Sequence, residues 1–390
     1  MTSTKNYILP IIVIAQFLCT SLWFAGNAVL PDIVTNFPAE NNLLANLTSM
    51  VQFGFISGTL VFACFAISDI FAPSKVFFIC GMAGAIFNSG ICFPSSDVDL
   101  LLLFRVLTGF MLAGIYPVGM KIASDYFKDG LGKSLGFLVG ALVLGTAFPH
   151  LLKTITAKFA WEYVIYVTSA LSAVGAAAIL CFVTNGPFRV TGQKFDLRSC
   201  FTGFRNAGFR SAAFGYFGHM WELYTFWAFL PGMLIFYAST HATTSLNVSL
   251  FSFLIIASGS ISCIIGGLLS QKFGAKKIAA IALSISGLCC LLSPIFLFSS
   301  SVYAFLIFLF CWGLSGTADS PLLSSLVAKH APETLRGTSL TLVNCMGFAI
   351  TIISIHVINL LANEMNMHYL YTVLAIGPAL GLLALTKIKK

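Results

Sequence analysis

Long apolar runs, each closed by a short polar stretch, recur twelve times along the chain, at 8–30, 44–68, 76–94, 100–127, 133–152, 161–183, 211–237, 246–269, 278–298, 302–328, 338–361 and 369–385. A bilayer core about 30 Å thick takes about 20 helical residues to cross. Lipid offers no partner to an unpaired backbone N–H or C=O, so runs of this length are predicted to be helices. The longer runs predict tilt or exposure at their ends. The longest polar stretch, 184–210, separates six runs from six. It is expected to be a cytoplasmic linker between a first six-helix bundle, 1–183, and a second, 211–390. The amino-terminal MTSTKNYILP enters the first run without a small-residue cleavage site and is read as a retained first span.

Composition carries the same message. Apolar residues make up 58% of the chain and charged residues 9%, against about 25% charged in a soluble domain. Soluble enzymes, nucleic-acid binders and secreted disulfide scaffolds are excluded. The eleven cysteines show no CxxC and no His/Cys ligand spacing, so they are expected to be free thiols that behave as small hydrophobes. No metal site and no cofactor is expected.

The net charge of +8 is spread as a topology signal. With the amino terminus inside, seventeen of the 21 Lys and Arg fall on inner segments and two, Lys153 and Lys158, on outer loops. The rule that inner loops are basic then places both termini in the cytoplasm. With no single basic face, a nucleic-acid partner is not expected.

The two halves repeat each other. LPDI at 30–33 answers LPGM at 230–233, and SDIFAPSKV at 68–76 answers SQKFGAKKI at 270–278. Gly109 and Pro117 answer Gly313 and Pro321, 204 residues later. Duplicated six-helix halves place a substrate site near mid-membrane, so the architecture points to transport. On these motifs the chain resembles the major facilitator superfamily across essentially its whole length. The loop from Gly58 through Ser68-Asp69 to Lys75 resembles a worn copy of that family's loop motif. Gly267 to Lys277 is a better copy in which Gln271 replaces the acid. Arg105-x-x-x-Gly109 resembles the family's second motif, and Ala113-Gly114 with Pro117 resembles branches that carry organic anions. The Gly-Pro-x-x-x-Gly signature of drug/proton antiporters is missing from the fifth span. The resemblance implies an all-α membrane fold of twelve spans in two pseudo-symmetric bundles. It also implies an inner-face ion-pair lock between bundles made by Asp69 with Lys75, Lys276 and Lys277.

An ionisable group at membrane depth costs about 2.5–3.5 kcal/mol on insertion scales, so each needs a reason. Arg105 is read as a substrate-binding guanidinium, with a tie to helix-end carbonyls as the alternative. Lys121 is a second candidate ligand unless it pairs with Asp125 four residues on. Glu222, with His219 three residues before it, is read as a proton carrier; its bland alternative is a protonated carboxyl bonded to His219 or to a neighbouring helix, purely for packing. Asp319 has the same coupling role, or else pairs with Lys121 or Asn344. Gln16, Thr20, Trp23 and Asn27 follow i, i+4, i+7, i+11 and share a face of the first span. By the repeat and the resemblance, Gln16, Trp23, Asn27, Tyr116, Tyr216, Trp227 and Asn344 would line a substrate cavity.

The expected protein is therefore a monomeric secondary transporter of the inner (plasma) membrane, working by alternating access with protons as partners. Its expected cargo is a small organic anion moved inward by proton symport. An exporter of a metabolite or a siderophore carrier is the same-class rival, and a channel or membrane enzyme the distant one.

Overall fold

The computed structural model describes residues 7–36, 42–93, 97–127, 131–189, 203–241, 246–332, 336–365 and 367–387. Residues 190–202 of the expected linker, and both chain ends, lie outside them. Among the described residues, ten helices are long and apolar enough to cross a membrane, and two shorter apolar helices, Ile8–Thr20 and Leu370–Thr386, stand where the first and last spans are expected. The chain divides into two compact units, Met1–Phe195 and Asp196–Lys390.

Three spans are broken. The first runs as Ile8–Thr20, turns through residues 21–24, and resumes as Ala25–Ala28 and Leu30–Asn36. The fourth pauses between Val98–Leu112 and Tyr116–Tyr126, just before Pro117. The tenth pauses at Asp319, between Val302–Ala318 and Ser320–His330, two residues before Pro321. A proline lacks an N–H and crowds the preceding turn, which accounts for the last two breaks. The first has no proline and needs another cause, described below.

The seventh span begins earlier than its apolar run. Its helix, Ala207–Thr240, starts inside the stretch read as linker because Asn206 caps it. The Asn206 side chain accepts from the N–H groups of Gly208 and Phe209 at 2.8 and 3.2 Å, partners that a helix N-terminus otherwise lacks.

Within each unit the repeat reappears as packing. In the first unit Gly109 presses its Cα against the carbonyl of Val51, so a side chain there would collide with backbone. In the second unit Gly313 faces the carbonyl of Ile255, where a Cβ would sit 2.7 Å from the oxygen. Both residues of the second pair lie 204 positions after those of the first. Small residues at such crossings let helix backbones approach, as membrane packing requires.

Candidate functional site

Arg105 sits on the first half of the fourth span and is fully buried. Its guanidinium reaches the break in the first span. Nη1 donates to the carbonyl of Leu22 at 3.2 Å and to Asn88 Oδ1 at 3.3 Å, and Nη2 donates to the carbonyl of Trp23. Asn88, on the third span, is itself held by donating to Thr168 and Ser169 of the sixth. Gly26 lies directly over the guanidinium, where even a Cβ would be 3.5 Å from Nε. The break without a proline is thus a turn whose free carbonyls are satisfied by a side chain more than eighty residues away. Among the described residues no acid pairs with Arg105, and its Nε has no hydrogen-bond partner.

The second unit holds the opposite charge. Glu222 lies in the middle of the unbroken seventh span and is also buried. Trp312 Nε1 donates to Oε1 at 2.6 Å and Ser286 Oγ donates to Oε2 at 2.9 Å. The Trp312 ring is fixed in turn by stacking on Phe226, centroids 4.6 Å apart. Three residues before Glu222, His219 turns to a different acid: its Nδ1 lies 2.9 Å from Asp319 Oδ1. That contact is at ion-pair distance but outside hydrogen-bond alignment. Asp319 stands at the break of the tenth span, and its carbonyl accepts from Leu322 and Leu323 N–H to start the next helical segment. Hydroxyls of the eleventh span brace the seventh nearby. Thr351 donates to the Met220 carbonyl at 2.8 Å and Ser354 to that of Trp221 at 2.6 Å.

Several expected pairings are corrected. Lys121 joins Asp69 at 2.6 Å instead of Asp125. Asp69 is therefore engaged inside its own unit, where Arg189 also donates to its backbone carbonyl at 2.9 Å. Of the other residues expected in the lock, Lys75 is exposed, Lys276 is half-buried and Lys277 is exposed with its ammonium 5.9 Å from the centre of the Phe273 ring. Glu222 bonds neighbouring helices and not His219, and among the described residues the Asp319 carboxylate makes no hydrogen bond to Asn344.

The uncharged candidates divide. Gln16 is fully buried beside Gly119, whose missing side chain leaves room for its Oε1. Trp23 packs on Phe55 at 4.9 Å, and Asn27 donates to Thr48 Oγ1 at 2.6 Å. Tyr216 and Trp227 are buried, with Tyr216 6.0 Å from the His219 ring and Trp227 5.0 Å from Tyr224. Tyr116 and Asn344 are half-buried. Trp312, Ser286, Asn88, Thr48 and Gln52 do not stand out in the sequence. Serine, threonine and tryptophan inside an apolar run carry no signal until the helix facing them is known.

The sequence of residues 12–355 matches the family described as Major Facilitator Superfamily. The chain belongs to that family. Its long apolar helices agree with the multi-pass membrane architecture of that family. Curated relatives include the Trichosetin biosynthesis cluster MFS transporter of Gibberella fujikuroi, 24% identical over 187 residues that cover 47% of this chain and 38% of that one. Multidrug resistance protein 3 of Bacillus subtilis is 24% identical over 151 residues, 36% of this chain and 29% of the relative. The chain thus spans well under half the length of these relatives. Two solved structures share the fold. The human organic anion transporter MFSD10 superposes with a TM-score of 0.72 at 15% identity, covering 98% of this chain and 99% of its own. The proton:xylose symporter XylE superposes with a TM-score of 0.75 at 13% identity, covering 100% and 96%.

Proposed function

We propose that this transporter is a secondary active carrier that imports a small organic anion together with protons, by alternating access, across an inner or plasma membrane. The setting of Glu222 is the observation that carries this reading. Both of its oxygens are bonded by neutral donors, and among the described residues no cation pairs with them. Trp312 and Ser286 can hold the carboxylate, and the Ser286 hydroxyl can turn to accept from the acid form. The group can therefore change protonation state without losing its place. His219 and Asp319 form a second proton-carrying pair at the hinge of the tenth span. Arg105 supplies fixed positive charge with no acid in contact, which favours an anionic cargo. Gln16, Trp23, Asn27, Tyr116, Tyr216, Trp227 and Asn344 would orient that cargo. Lys121 serves as the partner of Asp69 in an inner-face lock on its own half. Both termini are cytoplasmic in this reading, the two bundles are joined by a linker that ends at the Asn206 cap of the seventh span, and the carrier works as a monomer.

Export is the second reading. It is favoured by relatives whose names refer to multidrug resistance and to a biosynthetic cluster. Proteoliposomes of known orientation separate the two. Import predicts that an acid exterior drives accumulation of radiolabelled carboxylates through the outer face. Accumulation that instead requires acid on the cytoplasmic face would reverse the direction. Single-channel currents in a planar bilayer would overturn the carrier reading altogether.

A further inference from the structure

Two glutamines of the first unit, Gln16 and Gln52, are fully buried, and none of their four side-chain amide atoms has a hydrogen-bond partner among the described residues. Stranding a buried polar group costs about 1–3 kcal/mol, so two intact amides at membrane depth are an expensive choice over leucine. Two threonines beside them are satisfied by contrast. Thr20 donates to the Gln16 carbonyl at 2.8 Å, and Thr48 donates to the Leu44 carbonyl while accepting from Asn27.

The two amides flank the break of the first span. Gln16 lies one turn before it, with Oε1 over Gly119 of the fourth span. Thr48, Gln52 and Phe55 share one face of the second span, at i, i+4 and i+7. Thr48 is bonded to Asn27 and Phe55 is packed on Trp23, so this face, with Gln52 between its two contacts, runs from the break to the segment just after it. Ser49 Oγ, one turn before Gln52, and Asn27 Oδ1 likewise have no partner. Uncommitted donors and acceptors are thus gathered where the helix is already interrupted. Arg105, a few residues away across Gly26, has given both terminal nitrogens to Leu22, Trp23 and Asn88 and retains Nε alone.

We infer that Gln52, with Gln16, is a specificity-determining group that hydrogen-bonds the uncharged oxygens of the cargo, and that the cargo is a hydroxylated carboxylate. This rests on the anion-import reading above. A primary amide offers two donors and one acceptor without charge, which suits a hydroxyl that both gives and receives. Arg105 contributes field more than contact, so the carboxylate alone is a weaker handle than the hydroxyl beside it. A site built to bond a hydroxyl rejects the analogue lacking it far more strongly than an apolar pocket does.

The test uses purified full-length protein and three acid pairs that differ by one hydroxyl: lactate and propionate, malate and succinate, citrate and tricarballylate. Binding is measured by calorimetry on wild type, Gln52→Leu and Gln52→Met. At least one hydroxy acid is expected to bind wild type tenfold or more tighter than its partner, with that preference lost in both variants. Melting temperature without ligand should not fall in the variants, because an unsatisfied amide has been removed. In driven uptake, KM should rise while the maximal rate is kept. Binding to wild type that ignores the hydroxyl, or a preference that survives both variants, overturns the inference and leaves anion import standing. Failure of all six acids to bind wild type overturns the anion reading together with the inference.

Discussion

Arg105 in the first unit and Glu222 in the second invite comparison, because each is a buried ionisable group held by neutral partners. The partners differ in kind. Arg105 is gripped mainly by backbone carbonyls at a helix break, and a guanidinium does not lose its proton in a protein. Its charge is permanent, and its bonds define the path of the first span. Glu222 is held by two side chains on an unbroken helix, and a carboxyl can take up or release a proton. One site is a clamp that happens to be charged; in the proposed mechanism the other is a switch that happens to be buried. Chemistry that cycles should therefore reside in the second unit, while the first supplies a fixed field and a fixed bend.

The strongest way to break this contrast is to remove the clamp. Arg105→Met strands the carbonyls of Leu22 and Trp23, each worth about 1–3 kcal/mol when left unpaired in a dry interior. A large fall in melting temperature in detergent is expected, with Arg105→Lys recovering only part of it because an ammonium lacks the planar fork. An unchanged melting temperature would mean that the first span keeps its break unaided.

Asp319→Asn should act in the opposite sense. It leaves the helix break intact, since the Asp319 carbonyl and not its side chain starts the next segment. Removing the carboxylate beside His219 is expected to lower driven uptake about tenfold, the equivalent of about 1.4 kcal/mol, with a melting temperature close to wild type. A variant that melts early but transports normally would make Asp319 a packing residue.

Trp312→Phe is the mildest and most discriminating change. The stack on Phe226 survives and only the 2.6 Å donor to Glu222 is lost. The pH dependence of uptake should move, while stability falls by about 1 kcal/mol. A pH profile identical to wild type would show that Trp312 merely packs.

How much of this was legible in the chain follows from what a bilayer enforces. The spans are readable because hydrocarbon demands closed backbone bonding over a fixed thickness. The breaks at residues 113–115 and at Asp319 are signalled by Pro117 and Pro321. The break at 21–24 has no local sign, since its cause is a guanidinium on the fourth span. Side-chain partnerships are read worst. Proximity along the helix offers His219 or some unnamed neighbouring helix for Glu222 and Asp125 for Lys121; Glu222 takes Trp312 ninety residues away and Lys121 takes Asp69. Local spacing reports which groups share a helix face; it is silent on what the facing helix presents.

Glu222→Gln reconstituted in proteoliposomes tests the central claim most directly. The amide still accepts from Trp312 and can donate to the Ser286 oxygen, so the fold is kept while the exchangeable proton is gone. The account predicts that accumulation driven by a pH gradient is abolished and that solute exchange at equal pH continues near the wild-type rate. Undiminished gradient-driven accumulation in this variant would contradict it.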